Sequence, residues 1–190
     1  MDEPITKPTD FASQFQRHHR SLWYVAMSVV SNTTDADDVL QEAAIIGLRK
    51  AGSFTAGSNF RAWMGEIVRN VALNRRKQSR RESSRLGQKV DVHQVETIGR
   101  IDNSTPVSQG GMLISMQQAL DDRLLSALME LEPAPRACVL LRFLEGLEYT
   151  EIAQLLDIPK GTAMSHVFRS RRLLAQSLAD SLFKAKQGER

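Results

Sequence analysis

Two opposed clusters of charge are the chemically most suggestive residues in this chain. Residues 75–85, RRKQSRRESSR, carry Arg75, Arg76, Lys77, Arg80, Arg81 and Arg85 against Glu82 alone. Residues 35–42, DADDVLQE, carry Asp35, Asp37, Asp38 and Glu42 with no base. The formal net charge is only +3, so it is the segregation that matters. Separate basic and acidic surfaces suit two different partners, one anionic and one basic, although either run alone could be a solvated helix face. Chemistry of other kinds has little to stand on. The four histidines (His18, His19, His93, His166) show no metal-ligand spacing, and no phosphate loop or nucleophile–base set is present. The single cysteine, Cys138, lies in the apolar run ACVLLRFL and reads as a core thiol. No catalysis, metal or cofactor is expected.

Apolar residues at helix period must position these clusters. Phe11, Phe15, Leu22, Val25, Ala26 and Val29 define a first helix. Thr34 followed by Asp37 resembles a capping box for a second, in which Val39, Ala43 and Ile46 face inward and Leu40 and Leu48 widen the stripe. GSFTAGSN is a loop. A third helix runs from Phe60 to about Arg81, with Trp63, Ile67, Val71 and Leu73 apolar before the basic run. Residues 82–115 are polar and weakly periodic, and read as a linker. Helical patterning returns with LISMQQALDDRLLSALMEL, then over 135–145 to a stop near Gly146, and ends near Phe183. No strand pattern occurs. The expected fold is all-α: two small helical domains, 1–81 and 116–190, joined by a polar linker.

The last third holds a helix-turn-helix pattern, EYTEIAQLLDIPKGTAMSHVFRSRRLL. Thr150 can cap a short helix with Ile152, Ala153, Leu155 and Leu156 inward. Asp157 falls at the turn, where a residue tolerant of left-handed backbone is needed. Pro159 sets the start of the next helix. On that helix Ala163, Val167 and Leu174 recur on one side, and Ser165, Phe168, Arg169 and Arg172 on another. Such a helix fits the DNA major groove, with Lys160, Arg171 and Arg172 available to phosphates.

These residues resemble the C-terminal domain of the extracytoplasmic-function sigma factors. Arg136, Glu145, Gly146, Leu147, Tyr149, Glu151, Ile152, Ala153, Leu156, Pro159, Gly161, Thr162, Ser165, Arg169 and Arg171 match its pattern. The resemblance implies a surface for the minus-thirty-five promoter element made of Lys160, Thr162, Met164, Ser165, Phe168, Arg169, Arg171 and Arg172. Met164 and His166 stand where the family often has cations, which lowers the positive charge there. DADDVLQEAAIIGLRK resembles the family's core-polymerase-docking helix, through Asp35, Ala36, Asp38, Val39, Leu40, Gln41 and Glu42. Asp35, Asp38, Val39, Gln41 and Glu42 are the implied contacts, with Ala44 where Phe is frequent. SFTAGSNFRAWMGEIVRNVALNRRKQSRR resembles the segment that melts and captures the minus-ten element. It implies a loop of Ser53, Phe54 and Asn59, then Asn70 and Asn74, with Arg75, Arg76, Lys77, Arg80 and Arg81 on the backbone of the melted strand. Phe60 and Trp63 keep helix period with Ile67 and are expected mainly in the core.

The resemblance implies a sigma factor binding core RNA polymerase and promoter DNA, duplex and melted, with an anti-sigma protein as a further partner. A stand-alone helix-turn-helix regulator is the alternative, and the DADDVLQEA segment speaks against it. With no apolar run long enough to span a bilayer and no signal-peptide pattern, membrane insertion is not expected and a cytoplasmic location is.

Overall fold

The computed structural model describes residues 8–55, 57–85 and 122–188. The described residues are α-helical with no strand: α1 (Pro8–Val30), α2 (Thr33–Lys50), a single 3-10 turn (Ala51–Ser53), α3 (Phe60–Arg85), α4 (Asp122–Glu130), α5 (Pro133–Phe143), α6 (Tyr149–Leu156) and α7 (Lys160–Gly188). The expected linker lies almost wholly outside them, as does the proposed helical start at residues 113–121.

Every residue from Ser21 to Val29 is buried. A helix buried on all sides must have neighbours on all sides, and α1 packs against α2, α3 and α5. On α2 the inward residues are Ala36, Val39, Leu40, Ala43 and Gly47. Leu48, expected to widen that stripe, is exposed. Gly47 faces the core instead, because a Cβ there would lie 2.8 Å from the Met64 sulfur and 3.0 Å from the Phe11 ring. On α3, Phe60, Met64, Ile67, Val68, Val71 and Ala72 are buried, Trp63 is partly buried, and Leu73, expected inward, is exposed.

The helix starts differ from expectation at two places. Asn32, extended at φ −140° and ψ 155°, caps α2 by accepting from the Asp35 N–H at 2.7 Å, two residues ahead of the expected Thr34. Asp37 is thereby free to accept from the Trp23 indole N–H at 2.8 Å. Helix α6 is capped by Glu148, not Thr150; Glu151 reaches back to the Glu148 N–H at 2.8 Å, completing a capping box. The turn itself is as expected. Asp157 is left-handed at φ 53° and ψ 54°, and the Ile158 N–H returns to the Ala153 carbonyl at 3.0 Å.

The N-terminal helices pack directly on the C-terminal ones, α1 on α5 and α3 on α6, and their apolar side chains form one continuous core. Arg136 of α5 lies at this junction, 4% exposed. Its guanidinium donates to the carbonyls of Leu128 (3.0 Å), Met129 and Leu131 (2.7 Å), at the C-terminal end of α4. It also donates to the Ser28 carbonyl (3.3 Å) and the Ser31 hydroxyl (2.5 Å) at the end of α1. One cation thus satisfies carbonyls that two helix ends leave without intrahelical partners.

Candidate nucleic-acid interface

Three exposed faces carry the expected site residues, one each on α2, α3 and α7. On α7, Ala163, Val167, Ser170 and Leu174 are buried on the support helix side. That stripe rotates Met164, Ser165, Phe168, Arg171 and Arg172 outward together, with Lys160 at the helix start and Arg169 beside them, all exposed. Thr162 is half-buried in the first turn, its N–H on the Pro159 carbonyl at 2.9 Å. Phe168 is 72% exposed, an aromatic that the fold itself leaves without a packing partner. The Arg171 guanidinium hovers 6.0 Å from the ring centre of Phe143, also exposed. His166 has its pKa lowered, first by burial and then by the charge of Arg169, so it is neutral near pH 7 and adds no charge to this face.

On α3, Asn70, Asn74, Lys77 and Arg81 recur at four-, three- and four-residue steps and form one exposed stripe. Arg76 is half-buried, and Arg80 is exposed and engaged. Upstream, Asn59 caps the helix: its Oδ1 accepts from the Ala62 N–H at 3.0 Å. Ser53 is exposed, its hydroxyl on the Lys50 carbonyl at 2.7 Å. Phe54 is not a free aromatic. Its ring packs against Phe60 (5.8 Å between centres) and Trp63 (5.2 Å), which anchors the loop to the core.

On α2, Asp38, Gln41 and Glu42 are exposed on one side. Val39 is not on that face: at 1% exposure it lies in the core and supports the face from beneath. Two residues missed in the sequence complete it. Ile45, 54% exposed, and Leu48 continue the stripe from Gln41 at helical spacing, so the acidic face is acidic at one end and apolar at the other. Their spacing from Gln41 was the available signal. Asp37 lies behind the face; burial raises its carboxyl pKa, and the Trp23 indole N–H works in the opposite direction.

The structure also joins residues assigned to different surfaces. Arg75, expected on the DNA strand, turns toward α2: its guanidinium contacts Asp35 at 3.1 Å and Asp38 at 2.8 Å. Its pKa is raised, chiefly by the hydrogen bond to Asp35. Cys138 is fully buried, and burial pushes its thiol up to about 12, which keeps it protonated and unreactive. Among the described residues no cluster of His, Cys, Asp and Glu could hold a metal ion, and no helix is long and apolar enough to cross a membrane.

Comparison with known proteins finds two family segments in the chain. Residues 14–82 match the family model for sigma-70 region 2, and residues 121–174 that for sigma-70 region 4. The chain is 33% identical over 172 residues to the ECF RNA polymerase sigma factor BldN of Streptomyces coelicolor, covering 90% of this chain and 61% of that protein. It is 30% identical to the ECF sigma factor SigM of Mycobacterium tuberculosis (88% and 76% covered) and 32% identical to the ECF sigma-E factor of Escherichia coli (74% and 72% covered). Among solved structures, the sigma factor RpoE in complex with the anti-sigma factor NepR from Bartonella quintana aligns with a TM-score of 0.60 at 25% identity, covering 90% of this chain and 98% of that one. CnrH in complex with the cytosolic domain of CnrY aligns with a TM-score of 0.59 at 20% identity, covering 93% and 92%.

Proposed function

The chain belongs to the extracytoplasmic-function sigma factors of the sigma-70 family, and we propose that α2 docks the polymerase while α3 and α7 read the promoter. As a sigma factor it directs RNA polymerase to promoters and to the initiation of transcription, as a non-catalytic subunit.

The observation that carries this division is the orientation of α7. A buried Ala163–Val167–Ser170–Leu174 stripe leaves Met164, Ser165 and Phe168 outward with the flanking arginines. Apolar and hydroxyl groups on the exposed face of a helix suit base edges, and the arginines suit phosphates. The minus-thirty-five surface is therefore Met164, Ser165, Phe168 and Arg169, with Lys160, Thr162, Arg171 and Arg172 around it. The minus-ten surface is the loop of Ser53, Phe54 and Asn59 with the Asn70–Asn74–Lys77–Arg81 stripe, Arg76 and Arg80. The polymerase meets Asp35, Asp38, Gln41 and Glu42, and Ile45 and Leu48 add apolar contact. The domains correspond to residues 1–81 and 116–190, and the protein acts in the cytoplasm, where its polymerase is.

An anti-sigma protein holds the factor until it is needed, as the complexes of RpoE with NepR and of CnrH with CnrY suggest by their similarity to this chain. Purification of the chain from its own cells without any stoichiometric inhibitor, at full activity, would argue against that partner. The function is tested by run-off transcription on fragmented genomic DNA, with and without the protein added to core RNA polymerase. Discrete start sites appear only with the protein. Failure to bind core polymerase would overturn the reading, and retained start sites after replacing Phe168 and Arg169 by alanine would overturn the role given to α7.

A further inference from the structure

The opening turns of α7, the part of a recognition helix that reaches base edges, carry no cation after Lys160 until Arg169. Residues 161–168 read GTAMSHVF. Ala163 and Val167 are buried, and Thr162 is half-buried. His166 is half-buried too and neutral near pH 7, its pKa lowered by burial and then by Arg169. The exposed side chains are Met164 (47%), Ser165 and Phe168 (72%). At about 100° per residue, Gly161, Met164 and Phe168 fall within about 60° of one another and form a strip along one edge of the outward face. A Cβ on Gly161 would meet nothing within 4 Å, so the strip opens onto free space at its N-terminal end.

We infer that Met164 reads the C5-methyl group of a thymine in the minus-thirty-five element, so that this chain selects an A·T pair there by apolar contact. The inference rests on the placement of α7 in the major groove proposed above. Each base edge in that groove has its own chemistry: guanine takes a forked cation, adenine an Asn or Gln, and cytosine a carboxylate. A thioether has no proton to donate and is a weak acceptor, so against those edges it strips water from polar groups and gives nothing back. Thymine's methyl is the apolar group that the groove displays. Ser165 hydrogen-bonds to more than one kind of edge and discriminates little. Phe168 lies about 6 Å further along the helix, close to two base-pair steps of roughly 3.4 Å. It therefore meets a different pair and leaves the first methyl to Met164. An unbranched, polarizable side chain can follow a methyl closely, and about half of the Met164 surface is still in water in the free chain. Burying it against DNA is a gain that folding has not already taken.

The test uses holoenzyme assembled from core RNA polymerase and the full chain, on a promoter found by run-off transcription. Each thymine of the minus-thirty-five element, on either strand, is replaced in turn by uracil, which lacks only the C5-methyl. Affinity is measured at one fixed salt concentration. Uracil at one thymine lowers affinity about fourfold, the effect of one buried methyl group. Met164→Ala binds thymine and uracil equally at that position, while losses at other positions stay as they were; the cycle of the two changes isolates the contact. Met164 is exposed, so the variant leaves the core intact. Uracil tolerated at every position would overturn the inference, as would a sensitivity that Met164→Ala leaves unchanged throughout, or an element without an A·T pair. Phe168→Ala combined with Arg169→Ala separates this inference from the reading beneath it. If that variant binds about tenfold more weakly while uracil is tolerated, α7 lies in the groove and the methyl contact alone is wrong. If it binds as wild type does, the placement of α7 fails and the methyl contact fails with it.

Discussion

Replacing Arg136 by alanine tests how the C-terminal domain is held together. The guanidinium is almost fully buried, and burial lowers its pKa to about 10, which leaves it charged at neutral pH. Its geometry is that of a C-terminal cap made in trans: α4 ends at Glu130, and the carbonyls of Leu128, Met129 and Leu131 all accept from a side chain of the next helix. A hydrogen bond from a charged group contributes about 1.5–3 kcal/mol, and such bonds sharing one donor do not add fully. Removing the donor also leaves buried carbonyls unsatisfied at about 1–3 kcal/mol each unless water enters. Together these give a loss of about 3–5 kcal/mol, the size found when a buried charge is separated from its partners. A folded body of this kind has only about 5–15 kcal/mol in all, and 1 kcal/mol moves the melting temperature of a 150–250-residue body by about 2–4 °C. Arg136→Ala is therefore expected to lower Tm by at least about 6 °C, with a matching fall in urea midpoint. Arg136→Lys, which has one point charge and no planar fork, recovers only about 1 kcal/mol. Ser31→Ala isolates the contact to α1 and costs about 1 kcal/mol. Urea unfolding followed by far-ultraviolet circular dichroism, at constant m, measures all three. A loss below about 1 kcal/mol for Arg136→Ala would refute the reasoning, because it would mean that water replaces the cap at no cost.

Three further outcomes follow from the same structure. Glu151 has its pKa lowered from the ordinary 4.5, first by the Arg61 hydrogen bond and next by the Glu148 N–H. A carboxyl lowered on folding stabilises the fold above its unfolded value and loses that contribution as pH falls through the folded one, so stability drops below pH 4.5, and Glu151→Gln flattens that part of a urea-midpoint-against-pH profile. Asp157 is left-handed and mostly exposed; Asp157→Gly relieves backbone strain and raises stability by up to about 1 kcal/mol, read as a higher Tm. Lys77→Ala with Arg81→Ala lowers by about two the slope of log affinity against log salt for promoter binding by the holoenzyme, whereas Arg75→Ala alone, being drawn toward Asp35 and Asp38, lowers it by less than one.

The helices were legible because burial is periodic: Phe60, Ile67 and Val71 announce α3, and Ala163, Val167 and Leu174 announce the inward side of α7. The left-handed Asp157 was legible because few residue types accept that backbone. The helix caps were less so. Asn32 and Thr34 are both competent caps, and only the extended backbone of Asn32 selects between them. Leu48 was misplaced because a glycine carries no apolar signal, so the stripe seemed to need a leucine where Gly47 makes the close approach. What could not be read were pairings at long range: Arg61 with Glu151, Arg69 with Asp157 and Arg75 with Asp35 are separated by 90, 88 and 40 residues, and no local pattern specifies which carboxylate a given arginine will find.

Arg75 shows what those long-range pairs mean for function. By position it belongs to the basic run proposed to face nucleic acid; by geometry it belongs to the acidic helix proposed to meet the polymerase. Both assignments use the same charges, so they compete. An arginine bound to Asp35 and Asp38 cannot also neutralise a phosphate, and two aspartates bound to Arg75 offer less field to a cationic partner. Anything that takes those aspartates frees the arginine, and by reciprocity a phosphate that takes the arginine uncovers the aspartates. The free chain thus keeps Arg75, one of the charges of its basic run, engaged with its own α2. Its affinity for either partner is then the difference between outer and inner contacts, and binding of one partner prepares the chain for the other.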